Sequence, residues 1–172
     1  MRTKKTGERG RRFCALLTIS LMLVTCAVFC WQPPRPARAT DGTFLRISDW
    51  KSGHVYVEAK AQAGSRLFFG WIHSQDKIPW NEYYHVNENC WLILDAITFP
   101  AFGAGIPENK GRVCYVKDGL IHMEGIGQPF KELVWLNSHT ATRDIMLDGV
   151  LVAKGSDLPH HARLRLAVGP RN

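Results

Sequence analysis

From Thr40 to the C-terminus no stretch keeps the apolar period of about 3.6 residues that an amphipathic helix needs. Short runs alternate apolar and polar residues instead, and each breaks at turn residues. The candidate strands are Thr43 to Ser48, His54 to Ala59, Arg66 to Ser74, Glu82 to Asn87, Cys90 to Phe99, Gly111 to Lys117, Leu120 to Glu124, Glu132 to Leu136, Arg143 to Leu147, Val150 to Ala153 and Ala162 to Val168. Asp118-Gly119 and Asp148-Gly149 each sit between two such runs, the strongest short-range hairpin signal. Many short strands at near-regular spacing predict an all-β fold, a single antiparallel β-sandwich-like domain over residues 43–169.

What precedes that domain has the order of an export segment. Basic residues end at Arg11-Arg12, an uncharged run follows from Phe13 to Trp31, and a Pro- and Arg-rich stretch leads out of it. Residues 1–31 therefore read as one N-terminal transmembrane or signal helix, and 32–42 as a linker. Positive charge ahead of the run places the C-terminal domain outside the cytoplasmic membrane. Two outcomes stay open: an uncleaved anchor, or cleavage after Ala39 at Ala37-Arg38-Ala39. The basic segment also accounts for the net charge of +7. Residues 1–39 hold eight of the 22 Lys and Arg and one of the 15 acids, which leaves fourteen of each from Thr40 onward. A formally neutral domain removes the electrostatic case for nucleic-acid binding.

Cys14, Cys26 and Cys30 lie in the apolar run, so only Cys90 and Cys114 belong to the exported domain. They are a candidate disulfide in an oxidising compartment, or two separate thiols.

Polar chemistry concentrates in His73-Ser74-Gln75-Asp76-Lys77-Ile78-Pro79-Trp80-Asn81-Glu82-Tyr83-Tyr84. If the flanking runs form a hairpin over the loop Gln75 to Asn81, the His73–Ser74 end meets the Glu82 end, where a half-buried carboxylate beside His or Lys is an ion pair or a binding group. Which of His73 and Ser74 faces Glu82 depends on register. A hydrolase with Ser74 as nucleophile and His73 as base meets a geometric obstacle, because adjacent strand residues point to opposite faces. No Gly-x-Ser-x-Gly elbow is present. None of the seven His stands in a metal-ligand motif, so no metal or other cofactor is expected. Trp80 follows Pro79 in the polar loop and is the aromatic expected to make an exposed contact. Phe102-Gly103-Ala104-Gly105-Ile106-Pro107 lacks the third glycine of a dinucleotide fingerprint. Gly103 and Gly105 either present backbone N–H groups to an anion or form a tight connection with Phe102 packed inward.

The blocks His73-Ser74-x-x-Lys77-x-Pro79-Trp80-x-Glu82-x-Tyr84 and Thr98-Phe99-x-x-Phe102-Gly103-Ala104-Gly105-Ile106-Pro107, in this order and spacing, resemble the DUF1850 family. The resemblance spans Thr43 to Val168. It implies a small bacterial envelope protein associated with TRAP-type transporters of the TAXI kind, with the permease or the extracytoplasmic solute-binding protein as partner. It supplies no activity. The expectation is a non-enzymatic accessory module, held at the membrane by the N-terminal helix, whose contact residues are His73, Ser74, Lys77, Trp80, Glu82, Tyr84, Phe102, Gly103 and Gly105. The alternative is a small-ligand or metal-binding domain using His73 and Glu82.

Overall fold

A computed structural model describes residues 42–73, 76–101 and 109–171. The export segment, the cleavage site at Ala39, Ser74, Phe102, Gly103 and Gly105 lie outside the described residues. Among those described, no helix is long and apolar enough to cross a membrane.

The described chain is all β apart from one 3₁₀ turn, Gly155–Asp157. In order the strands are β1 (Thr43–Asp49), β2 (Val55–Lys60), β3 (Arg66–Ile72), β4 (Pro79–Val86), β5 (Leu92–Phe99), β6 (Val113–Lys117), β7 (Leu120–Phe130), β8 (Glu132–Leu136), β9 (Thr142–Leu147), β10 (Val150–Lys154) and β11 (Arg163–Pro170). They form two antiparallel sheets, β2-β1-β11-β8 and β10-β9-β3-β4-β5-β7-β6. Both Asp-Gly pairs turn two-residue hairpins, with Lys117 opposite Leu120 and Leu147 opposite Val150. Asp118, Gly119, Asp148 and Gly149 all have φ between 51° and 80°, the left-handed pair that such hairpins require.

One core lies between the sheets. Leu45 and Ile47 of β1 and Leu164 and Leu166 of β11 are fully buried, as are Leu67 of β3 and Ile145 of β9, with only alternate residues facing in. The sheets are unequal. At one side β10 touches β2; at the other the ring of Phe69 on β3 meets Trp135 on β8 edge to face at 5.2 Å. Since β8 ends the smaller sheet, the larger one continues past it through β5, β7 and β6. All five residues of β6 are exposed, as that overhang dictates.

Two elements differ by more than two residues from the sequence expectation. β4 starts at Pro79, not at Glu82, so the loop after β3 is shorter. Proline fits there because the first residue of a strand can lack an N–H. β7 runs on to Phe130, through a bulge in which Gly125 and Gly127 both have φ of 69°. Leu94 pairs with Gln128 and Ala96 with Glu124, so three β7 residues lie against Asp95 alone.

Candidate functional site

The overhang opens a cleft of about 630 Å³ between β8 and the inner face of β3, β4, β5 and β7. Its far wall is the row Trp80, Glu82, Tyr84, alternate residues of β4 that point inward together. Its near wall is β8, residues 132–136. Trp71, Phe130 and Trp135 add aromatic surface.

Glu82 is the chemically distinctive group. Its Oε1 accepts a hydrogen bond from Trp80 Nε1 at 3.1 Å, and its Oε2 accepts one from Tyr84 Oη at 2.7 Å. Both donors are buried, Trp80 to 7% and Tyr84 to 4% exposure. Desolvation raises the Glu82 pKa above the usual carboxylate value; the hydrogen bonds from Tyr84 and Trp80, the Trp71 indole and the charge of Lys110 act the other way without reversing it. Burial, then the Glu82 charge, also pushes the Tyr84 phenol well above its usual value, so Tyr84 stays a donor.

The expected hairpin forms, but its register separates His73 from Glu82. Phe69 lies opposite Glu82 and Trp71 opposite Trp80, while the His73 N–H bonds to the Ile78 carbonyl at 2.8 Å. His73 and Glu82 share the inner face with the Trp80 indole between them. The His73 imidazole stacks on that indole at 5.8 Å, and its Nδ1 lies 3.1 Å from Asp76 Oδ2, off the axis of a good hydrogen bond. Lys77 is exposed at the hairpin tip with φ of 59°. The structure therefore brings together Trp80, Glu82 and Tyr84 and leaves His73 and Lys77 at the rim.

Trp80 requires a correction. It is not an exposed loop contact: as the second residue of β4 it points inward and stacks on Phe99 at 5.0 Å and 9°. The candidate disulfide is not formed; Cys90 and Cys114 are free thiols. β7 separates them. Leu92, just after Cys90, is opposite Phe130, and Cys114 is opposite Met123, which puts the two cysteines on the order of 20 Å apart along the strand. Among the described residues no group of three His, Cys, Asp or Glu could hold a metal ion. His139, His160 and His161 do stack, at 4.5 and 3.7 Å, but His139 Nε2 is engaged by the Leu158 carbonyl at 2.9 Å and His160 Nδ1 by the His139 N–H.

The sequence did not single out Trp71, Lys110, Gln128, Phe130 or Trp135 as site residues, and all of them line the cleft. The alternation of β8, with Leu133 and Trp135 on one face, was the available signal.

Residues 68–152 match the model of a family described as Domain of unknown function (DUF1850). The match is narrower than the span of the resemblance: it runs from β3 into β10 and leaves out β1, β2 and β11. Every residue that lines the cleft, from Phe69 to Thr142, falls inside it. No curated protein and no solved structure matches the chain.

Proposed function

We propose that this DUF1850 domain is a non-enzymatic binding module that takes a small ligand in the inter-sheet cleft. One observation carries the reading: a cleft of about 630 Å³, within the size range of small-molecule sites, walled by aromatic rings and holding a partly desolvated carboxylate. A solvated loop has no use for a carboxylate tied down by two buried donors. The geometry moves the weight from the hairpin tip to the inner row of β4. Around Glu82 the hydrogen-bond partners are Trp80 and Tyr84, a set suited to holding a ligand. Placement outside the cytoplasmic membrane rests on the basic-then-apolar order of residues 1–31, and service to a TAXI-type transporter rests on the family resemblance.

A thermal-shift screen of small amphiphilic compounds against the full chain tests the binding reading, with Trp135→Ala as control. Hits that stabilise the protein and lose their effect in Trp135→Ala support it. A broad panel without a Trp135-dependent shift would sink it. The transporter link is tested separately, by co-purification of permease or solute-binding protein in mild detergent; failure to recover either removes that link and leaves the cleft untouched.

A further inference from the structure

Glu82 receives a hydrogen bond on each oxygen, yet among the described residues no cation pairs with it. Among the described residues, the other titratable groups that line the cleft are Tyr84, Lys110 and Glu132. Tyr84 is a neutral donor. Glu132 has its own counter-charge, Arg165 Nη1 at 3.6 Å. Lys110, ahead of β6, acts on Glu82 only as the weakest of the influences that lower its pKa. His73 and Asp76 stand at the hairpin tip, where the Trp80 indole stacks against the imidazole. The carboxylate thus looks into a cleft that is mostly apolar beyond Lys110 and Glu132, with the rings of Trp71, Phe130 and Trp135 among its walls.

That combination discriminates by charge. Aromatic faces carry negative electrostatic potential and attract cations. A carboxylate in the same low-dielectric space attracts a cation more strongly than it would in water. An anionic ligand meets repulsion from both, and a neutral one gains from neither. We propose that the cleft takes a small organic cation, an ammonium head on a flat apolar body, with Glu82 as its counter-charge. This ligand class presupposes that the cleft binds a ligand at all, as proposed above. A linked consequence follows from the raised pKa of Glu82: where the free carboxyl is protonated, binding the cation drives its proton into solvent, and affinity climbs as pH rises through the Glu82 titration.

Three indoles that differ in head-group charge test this by calorimetry on the full chain: tryptamine, neutral tryptophol and anionic indole-3-acetate. Tryptamine is expected to bind about tenfold or more tighter than tryptophol, with indole-3-acetate the weakest. At a pH low enough for Glu82 to be protonated in the free protein, buffers of different ionisation enthalpy should report proton release with tryptamine and none with tryptophol. Glu82→Gln keeps an oxygen for the Trp80 N–H and turns its NH2 toward the Tyr84 hydroxyl, which can accept, and should bring tryptamine to within about threefold of tryptophol while tryptophol itself is unchanged. Equal or tighter binding of tryptophol or indole-3-acetate overturns the cation assignment and leaves the cleft as a binding site. Retention of the tryptamine preference in Glu82→Gln overturns it too. If none of the three binds, anilinonaphthalene sulfonate separates the two failures: a dye signal lost in Trp135→Ala retains the cleft and rejects the cation, and a dye signal indifferent to Trp135 removes both.

Discussion

Asn137 sits at the end of β8 with no solvent exposure, and one change there tests how the near wall of the cleft is held. Its Nδ2 lies 3.0 Å from the Gly155 carbonyl, 3.2 Å from that of Leu158 and 3.0 Å from that of Pro159. Its backbone N–H donates to Ala162 and its carbonyl accepts from His161. One side chain thereby ties the end of β8 to the segment that joins β10 to β11. Asn137→Ala removes two N–H donors from three carbonyls; Leu158 keeps His139 Nε2 and Pro159 keeps the Ala162 N–H, so the buried carbonyl that loses most is that of Gly155. Each hydrogen bond contributes about 1 kcal/mol net, and each buried carbonyl left without a donor adds a penalty of about 1–3 kcal/mol. Water entering the vacated volume recovers part of this, so the expected loss is about 2–4 kcal/mol, or roughly 10 °C in Tm. Asn137→Asp should be worse at neutral pH, because it sets a carboxylate against the same three carbonyls. The assay is urea denaturation of the full chain followed by Trp fluorescence. A loss below about 1 kcal/mol in Asn137→Ala, or an Asp variant more stable than the Ala variant at pH 7, would refute the claim that these donors hold the segment.

Two further outcomes follow from the same structure. Glu82 has a folded-state pKa above its unfolded value of 4.5, raised first by desolvation, so the folded state binds the extra proton. Its contribution to stability is complete below that unfolded value and is lost as pH rises through the raised folded pKa, at about 1.4 kcal/mol for each pH unit in the window. Glu82→Gln removes this slope: the variant should gain on wild type between acid and neutral pH, and parallel stability curves from pH 4 to 8 would contradict the desolvated state of the carboxyl. Gly155→Ala would place a Cβ 2.2 Å from the Thr142 carbonyl oxygen and 2.5 Å from its Cβ, and should cost about 1–3 kcal/mol. Gly169→Ala meets nothing within 4 Å and should stay within about 0.5 kcal/mol of wild type, so equal thermal shifts for the two would count against the packing described.

The strands were legible because an antiparallel sheet with one buried face writes its pleat into the sequence. Leu45 and Ile47 alternate with polar neighbours, as do Leu164 and Leu166, and each pair is buried. The Asp-Gly turns were legible because few other residues tolerate the left-handed pair. β7 was truncated at Glu124 because Gly125 and Gly127 read as a strand end; in the fold they form a bulge, and the strand resumes beyond it. The cleft was not legible. It exists because one sheet has seven strands and the other four, and that inequality is set by the pairings of β8 with β11 and of β3 with β9, between segments far apart in the chain. No local window contains such information.

β4 shows why the candidate site was half seen. Pro79 and Asn81 make its first residues look like loop, and the structure makes them strand. The expected strand opens at Glu82, so the row 80, 82, 84 is cut between Trp80 and Glu82 and does not read as one face. The carboxylate broke the pattern because it occupies an inward position that packing alone would give to a hydrophobe. Its neighbours then had to be residues with a polar tip on an apolar body, and Trp80 and Tyr84 are such residues, each delivering one hydrogen bond to one oxygen. Local pattern and global fold conflict at this row, and a fold that keeps such a conflict through a partly desolvated acid keeps it at the expense of stability. Disagreement between the polar reading of Trp80–Tyr84 and its inward placement is therefore what locates the site.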